Sequence, residues 1–223
     1  MKILFEKLST PGEHTLTLQG LVGTIEAILT VPEKASTFKN FHLAIIGHPH
    51  SLQGGTMHNK VVTTTARAFK DLAMPSLRFN FRGVGKTEGT YDDGVGESED
   101  MCHLMRLCQK EKPDIHFLLA GFSFGSYVAY RSAAQIPSDL LITIAPPVHH
   151  FDYEAFPEPP KPWVIFQGDE DEIVPLTTVL DFSTHFTPPL PVVQFAKTSH
   201  FFHGKLLELR TQLTAIVSEQ LSC

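Results

Sequence analysis

The chain has 223 residues, 42% of them hydrophobic and 19% charged, with a formal net charge of −6. That apolar share supports a folded core, and the acidic balance argues against the basic surface of a nucleic-acid binder. No apolar run approaches the roughly 20 residues of a membrane helix. The opening MKILFEKLSTPGEHT has charges too early and an apolar stretch too short for a signal peptide, so a cytoplasmic protein with no membrane insertion is expected. Cys102, Cys108 and Cys223 are few, odd in number and form no C-x-x-C pair, which fits that compartment.

LTLQG and TIEAILTVP predict two early strands joined by an exposed turn. FHLAIIG (41–47) is a continuous apolar run, as expected of a strand buried on both faces. Val61, Val62, Thr65, Ala66, Phe69 and Leu72 recur at helical spacing, and SLRFNF (76–81) reads as the next strand. Met101, Leu104, Met105 and Cys108 mark a second helix, introduced by Glu97, Glu99 and Asp100, whose charges favour a helix N-terminus. IHFLLAG then predicts a strand and SYVAYRSAA its helix. LLITIA, WVIFQG and VVQFA are three further strands, with TTVLDFSTHF a helix between the last two. LLELRTQLTAIVSEQL closes the chain as an amphipathic helix. Strand and helix alternate, so the chain predicts an α/β fold: one domain over 1–223, with a mainly parallel sheet of eight strands or slightly fewer and helices on both faces. Ligands bind at the carboxyl ends of such strands, which singles out the polar residues just after them: His48, His50, Asn80, Arg82, Ser123, Asp169, Asp171 and His200.

Gly121-Phe122-Ser123-Phe124-Gly125 satisfies G-x-S-x-G between an apolar strand and a helix. A sharp strand-to-helix turn would expose the serine hydroxyl, and side chains at the flanking glycines would clash where helix and strand approach. The helix N-terminus offers N–H groups to negative charge. A nucleophilic serine needs a base and an orienting acid. WVIFQGDEDEIVP (163–175) follows with four acidic residues after a strand, and VVQFAKTSHFFHG (192–204) with a histidine after a strand. Serine, acid, histidine is the chain order of α/β-hydrolases.

On these residues the chain resembles the α/β-hydrolase superfamily, specifically its small lid-less bacterial esterase-like, dienelactone-hydrolase-related group. GHPHSLQGGTMHNKVV (47–62), RFNFRGVGKTEGTYDDGVGE (78–97), GFSFG, and GDEDEIVP with SHFFHG carry the resemblance, which covers nearly the whole chain. It implies a Ser123–His200–Asp171 triad, since its G-x-x-D-x-x-V-P pattern selects Asp171. Asp169 is expected to brace the turn, and Glu170 and Glu172 to face solvent. His200 follows its strand directly, whereas His203 is expected on the first turn of the last helix. The oxyanion hole is expected from the backbone N–H of Phe124 and a donor in the loop 48–52, with Leu52 favoured over His50 and Ser51.

N-F-R-G-V-G-K-T matches the superfamily's D-x-R-G-x-G-x-S loop with Asn for Asp, so Arg82 is expected to brace the site loops. A phosphate-binding loop would need glycine at position 80 and a following helix, and the sequence has neither. The histidine pairs 48/50, 149/150 and 200/203 form no recognisable metal-ligand set, so neither a metal nor another cofactor is expected. APPVHHFDYEAFPEPPKP is too short for a cap domain. His50, Phe122, His149 and Phe151 are candidate pocket residues, with Val148, Tyr153 and Phe156 as further apolar contacts; the alternative for the aromatics of this segment is that they pack the loop itself. The expected reaction is hydrolysis of a small or openly bound acyl substrate through an acyl-serine. A thioesterase or dienelactone-type hydrolase using the same residues, or a non-catalytic binding member of the fold, is the alternative. Monomer and homodimer are not distinguished.

Overall fold

In a computed structural model, residues 2–34, 36–156 and 160–222 are described. Eight strands form one sheet: β1 (Gly12–Gln19), β2 (Thr24–Val31), β3 (His42–Gly47), β4 (Ser76–Phe79), β5 (His116–Phe122), β6 (Leu140–Ile144), β7 (Trp163–Gly168) and β8 (Val192–Phe195). Their spatial order is β1-β2-β4-β3-β5-β6-β7-β8. Only the pairings of β1 with β2 and β2 with β4 are antiparallel. The rest are parallel, which requires crossover connections over the faces of the sheet, helical for all but the one from β6 to β7.

The apolar runs explain the layering. Alternate residues of a strand point to opposite faces. Leu43 and Ile45 of β3 enter one core with Phe117 and Leu119 of β5, while Ala44 and Ile46 enter the other with Leu118 and Ala120. The first core is closed by α3 (Val95–Glu111), α4 (Phe124–Ala133) and α5 (Leu176–Ser183), the second by α2 (Lys60–Asp71) and α6 (Leu206–Leu221). β1, at the edge, alternates exposed and buried positions instead. The expected eight-stranded sheet with helices on both faces is therefore present, and the connection 145–162 between β6 and β7 has no room for a cap domain.

Three local features differ from expectation. A short helix, α1 (Lys2–Lys7), precedes β1 and buries Leu4 completely; six residues are too few to show a helical period. His203 lies exposed in the turn before α6, which begins only at Leu206. Tyr153 is also core rather than pocket wall: it is buried among the rings of Tyr130, Trp163 and Phe182. No described helix is long and apolar enough to cross a membrane.

Candidate active site

β3 and β5 end level with each other, Gly47 opposite Gly121, and this register builds the turn that carries Ser123. Ser123 sits at φ 53°, ψ −124°, a conformation that costs a residue with a Cβ free energy and must be imposed by its surroundings. A Cβ on Gly121 would lie 2.0 Å from the Gly125 carbonyl oxygen, and one on Gly125 would lie 2.4 Å from the Gly47 carbonyl carbon. Glycine at both positions lets α4 start in direct contact with β3 and β5. Ser126 locks the turn: its hydroxyl donates to the carbonyls of Gly121 (2.7 Å) and Ile144 (3.0 Å) and accepts the Ile144 amide (3.1 Å). Nothing in a helical sequence pattern signals where the Ser126 hydroxyl points.

The loops after β7 and β8 bring an acid and a base to this turn. His200 Nε2 lies 3.1 Å from Ser123 Oγ, and Nδ1 lies 2.8 Å from Asp171 Oδ2. Asp171 also accepts the amides of Ile173 (2.9 Å) and Val174 (2.7 Å) at Oδ1, and the Gln167 amide nitrogen (3.0 Å) at Oδ2. Burial pushes its carboxyl up, but the His200 hydrogen bond and the two backbone donors outweigh this and hold it below the usual carboxylate range. An ionised Asp171 fixes the His200 proton on Nδ1, so Nε2 accepts from the Ser123 hydroxyl. Asp171 and His200 are buried, and only Ser123 is partly open to solvent. A hydroxyl facing a basic nitrogen, whose ring is held from behind by a carboxylate, is arranged to give up its proton and attack an electrophile.

The neighbouring acids divide the remaining work. Asp169 braces the loop, its Oδ1 taking the Thr198 amide at 3.2 Å. Glu172 is exposed as expected, yet its carboxylate also accepts the His200 amide at 3.2 Å. Gln167 was not anticipated; it donates to Asp171 and to the Val174 carbonyl at 2.8 Å, holding the acid in place from inside β7.

The loop after β3 rests on two histidines. His48 is fully buried; Nδ1–H donates to the Pro49 carbonyl (2.6 Å) and Nε2 accepts the Phe81 amide (2.9 Å). Burial lowers its pKa to about 4, so the ring is neutral near pH 7. His50 caps a short 3₁₀ turn, Ser51–Gln53, by accepting the Leu52 amide at Nδ1 (3.3 Å), and its Nε2 meets the Tyr91 hydroxyl (3.0 Å). Desolvation lowers the His50 pKa, which keeps Nδ1 available as an acceptor. The Phe124 amide opens α4 and is among the helix-start donors without an intrahelical acceptor. Phe124 itself packs on the His50 ring, 5.1 Å between centroids.

Phe122 is buried and stacks at 5.1 Å against His200, so it supports the imidazole rather than offering an open surface. Phe151 is half-buried against Tyr127 (4.7 Å) and Phe124 (5.4 Å). His149 is exposed beside His150. Leu52, Ile173 and Phe201 form exposed apolar positions on the three loops that carry the site. Arg82 grips the buried Asp100 through Nε (2.6 Å) and Nη2 (3.2 Å), tying the loop after β4 to α3. Thr87, where a phosphate-binding loop would use its hydroxyl on a ligand, is buried and donates to the Asn80 carbonyl at 2.8 Å.

No family model matches the chain. A crystal structure of a Xanthomonas campestris α/β serine hydrolase without a lid matches with a TM-score of 0.89 at 40% identity, over 96% of this chain and 97% of that one. A Coxiella burnetii α/β serine hydrolase homologue matches with a TM-score of 0.85 at 42% identity, over 91% of this chain and 96% of that one. An uncharacterized protein of Rickettsia prowazekii is 34% identical over 185 residues, 78% of this chain and 77% of its own.

Proposed function

Because the chain belongs to the α/β serine hydrolases without a lid, we propose that it cleaves carboxylic esters or related acyl bonds through an acyl-Ser123 intermediate. It acts as one domain over 1–223, in the cytoplasm, on small or openly bound acyl substrates. The observation that carries this reading is the row Ser123–His200–Asp171, with contacts of 3.1 and 2.8 Å. Free, buried Cys102 and Cys108 support the compartment.

His200 Nε2 takes the Ser123 proton as Oγ attacks the acyl carbon. The resulting imidazolium keeps its Nδ1–H on Asp171. Negative charge forms on the former carbonyl oxygen and is met by the amides of Phe124 and Leu52. The Leu52 amide exchanges its long bond to His50 for this oxygen. Collapse breaks the bond to the leaving group, which leaves with the proton from His200. Water then attacks the acyl-serine with His200 again as base, releasing the acid and free Ser123. The exposed Leu52, Ile173 and Phe201 supply apolar contact at the rim.

A fluorophosphonate probe is expected to label the wild type and not Ser123→Ala, with p-nitrophenyl esters of graded chain length reporting turnover. Equal labelling of both proteins would end the proposal.

A further inference from the structure

The opposite end of the sheet carries a second convergence of chemically active side chains. His42 opens β3 and His116 opens β5, and the parallel register sets them directly across from each other. Asp139 ends the turn before β6 and is pinned by its amide to the Phe117 carbonyl at 2.8 Å. His42 Nε2 lies 3.1 Å and His116 Nδ1 2.8 Å from the same Asp139 oxygen, Oδ2. All three potential ligand atoms fall within 4.8 Å of one another.

We propose that His42, His116 and Asp139 bind a divalent transition-metal cation of the zinc class. Tetrahedral zinc, with bonds of about 2.0–2.1 Å, separates its ligand atoms by about 3.3 Å. The observed spacings to Oδ2 need to open by only a few tenths of an ångström to admit the ion. Two imidazoles and one carboxylate suit zinc and its neighbours; calcium and magnesium prefer all-oxygen shells. His42 and His116 come from strand starts fixed by the sheet and Asp139 is tied to β5 by its amide, so the arrangement is preorganised. His42 is buried, whereas the His116 and Asp139 side chains are 37% and 35% exposed, which gives the ion a path from solvent. A cavity of about 450 Å³, lined by His42 and Asp139 with Asn40 and Ser138, adjoins the site and has room for a fourth ligand. Both ring N–H groups donate to the one carboxylate oxygen, which holds the three side chains in this arrangement. Occupied, the site clasps the starts of β3, β5 and β6 together.

The test is titration of chelator-stripped protein with Zn²⁺ against a chromophoric chelator, with thermal unfolding in parallel. One equivalent per chain should bind and raise the wild-type Tm. His116→Ala and Asp139→Ala should lose that equivalent and the Tm rise while keeping the wild-type circular dichroism. His116→Gln serves if the alanine variant does not fold. Ser123→Ala should bind zinc like the wild type, which separates this site from the hydrolytic one. No stoichiometric binding by the wild type at micromolar zinc, undiminished binding by the His116 and Asp139 variants, or equal displacement by Mg²⁺ would overturn the proposal.

Discussion

Asp171→Asn separates the charge of the acid from its shape. In the wild type, Oδ1 takes two backbone amides and Oδ2 takes His200 and Gln167. An asparagine must keep its single oxygen toward Ile173 and Val174, because turning it away orphans the buried Val174 amide and the part-buried Ile173 amide, at about 1–3 kcal/mol each. Its NH₂ group therefore faces His200 Nδ1, which must become an acceptor. The ring proton moves to Nε2, the atom that should take the Ser123 proton. Recovering the productive tautomer costs about 2–6 kcal/mol, or about 30-fold to 25,000-fold in rate. The upper end is the scale of a wrong-tautomer defect in this mechanism. The Gln167 amide then meets a donor, so about 1–2 kcal/mol of stability is also lost, or a few degrees in Tm. kcat/KM on p-nitrophenyl acetate and thermal unfolding measure the two effects. A variant within tenfold of wild-type activity, or a larger loss in Asp169→Asn, would refute the reasoning. The depressed Asp171 carboxyl adds a pH signature: its stabilisation is present above the ordinary aspartate pKa of about 3.9 and is lost as pH falls through the folded value. Asp171→Asn should lack that acid-limb dependence.

Gly125→Ala places a Cβ 2.4 Å from backbone that cannot yield, so it should cost about 3 kcal/mol or more and little folded protein should be recovered. Gly54→Ala meets nothing within 4 Å and pays only for φ 78°, about 1–2 kcal/mol, read as a small Tm drop. His48 is neutral in the fold with a pKa of about 4, against about 6.5 when unfolded. The unfolded state therefore takes up the proton first, and stability should fall by on the order of 3 kcal/mol between pH 6.5 and 4. Denaturant midpoints across that range should flatten in His48→Gln; an unchanged slope would place the acid sensitivity elsewhere. Tyr91→Phe removes the hydroxyl 3.0 Å from His50 and should lower kcat roughly 2- to 10-fold with KM little changed, and undiminished kcat would free the loop from that tie.

The inner strands β3, β5, β6 and β7 were legible because strands buried on both faces leave continuous apolar runs, as HLAIIG does in β3. Ser123, Asp171 and His200 stood out because each lies in the loop that follows a strand, and the fold brings their side chains into one hydrogen-bonded row. The supports around them were not legible. Ser126 and Gln167 act through the direction of one side chain, which no periodicity reports. His42 and Asp139 lie 97 positions apart, and His116 and Asp139 lie 23 apart. Their meeting is a product of strand register, whereas the close histidine pairs that drew attention in the sequence form no such group among the described residues.

The row spans a gradient of rigidity. Ser123 rises from the centre of the sheet, clamped by β3, β6 and α4. His200 hangs from the far rim, behind β8, whose four residues are mostly half-exposed and paired on one side only. Thermal or chemical loosening therefore begins at the imidazole and reaches the hydroxyl last. Hydrolysis should vanish while the body of the molecule is still intact, leaving a folded protein with a correctly seated serine and nothing to deprotonate it.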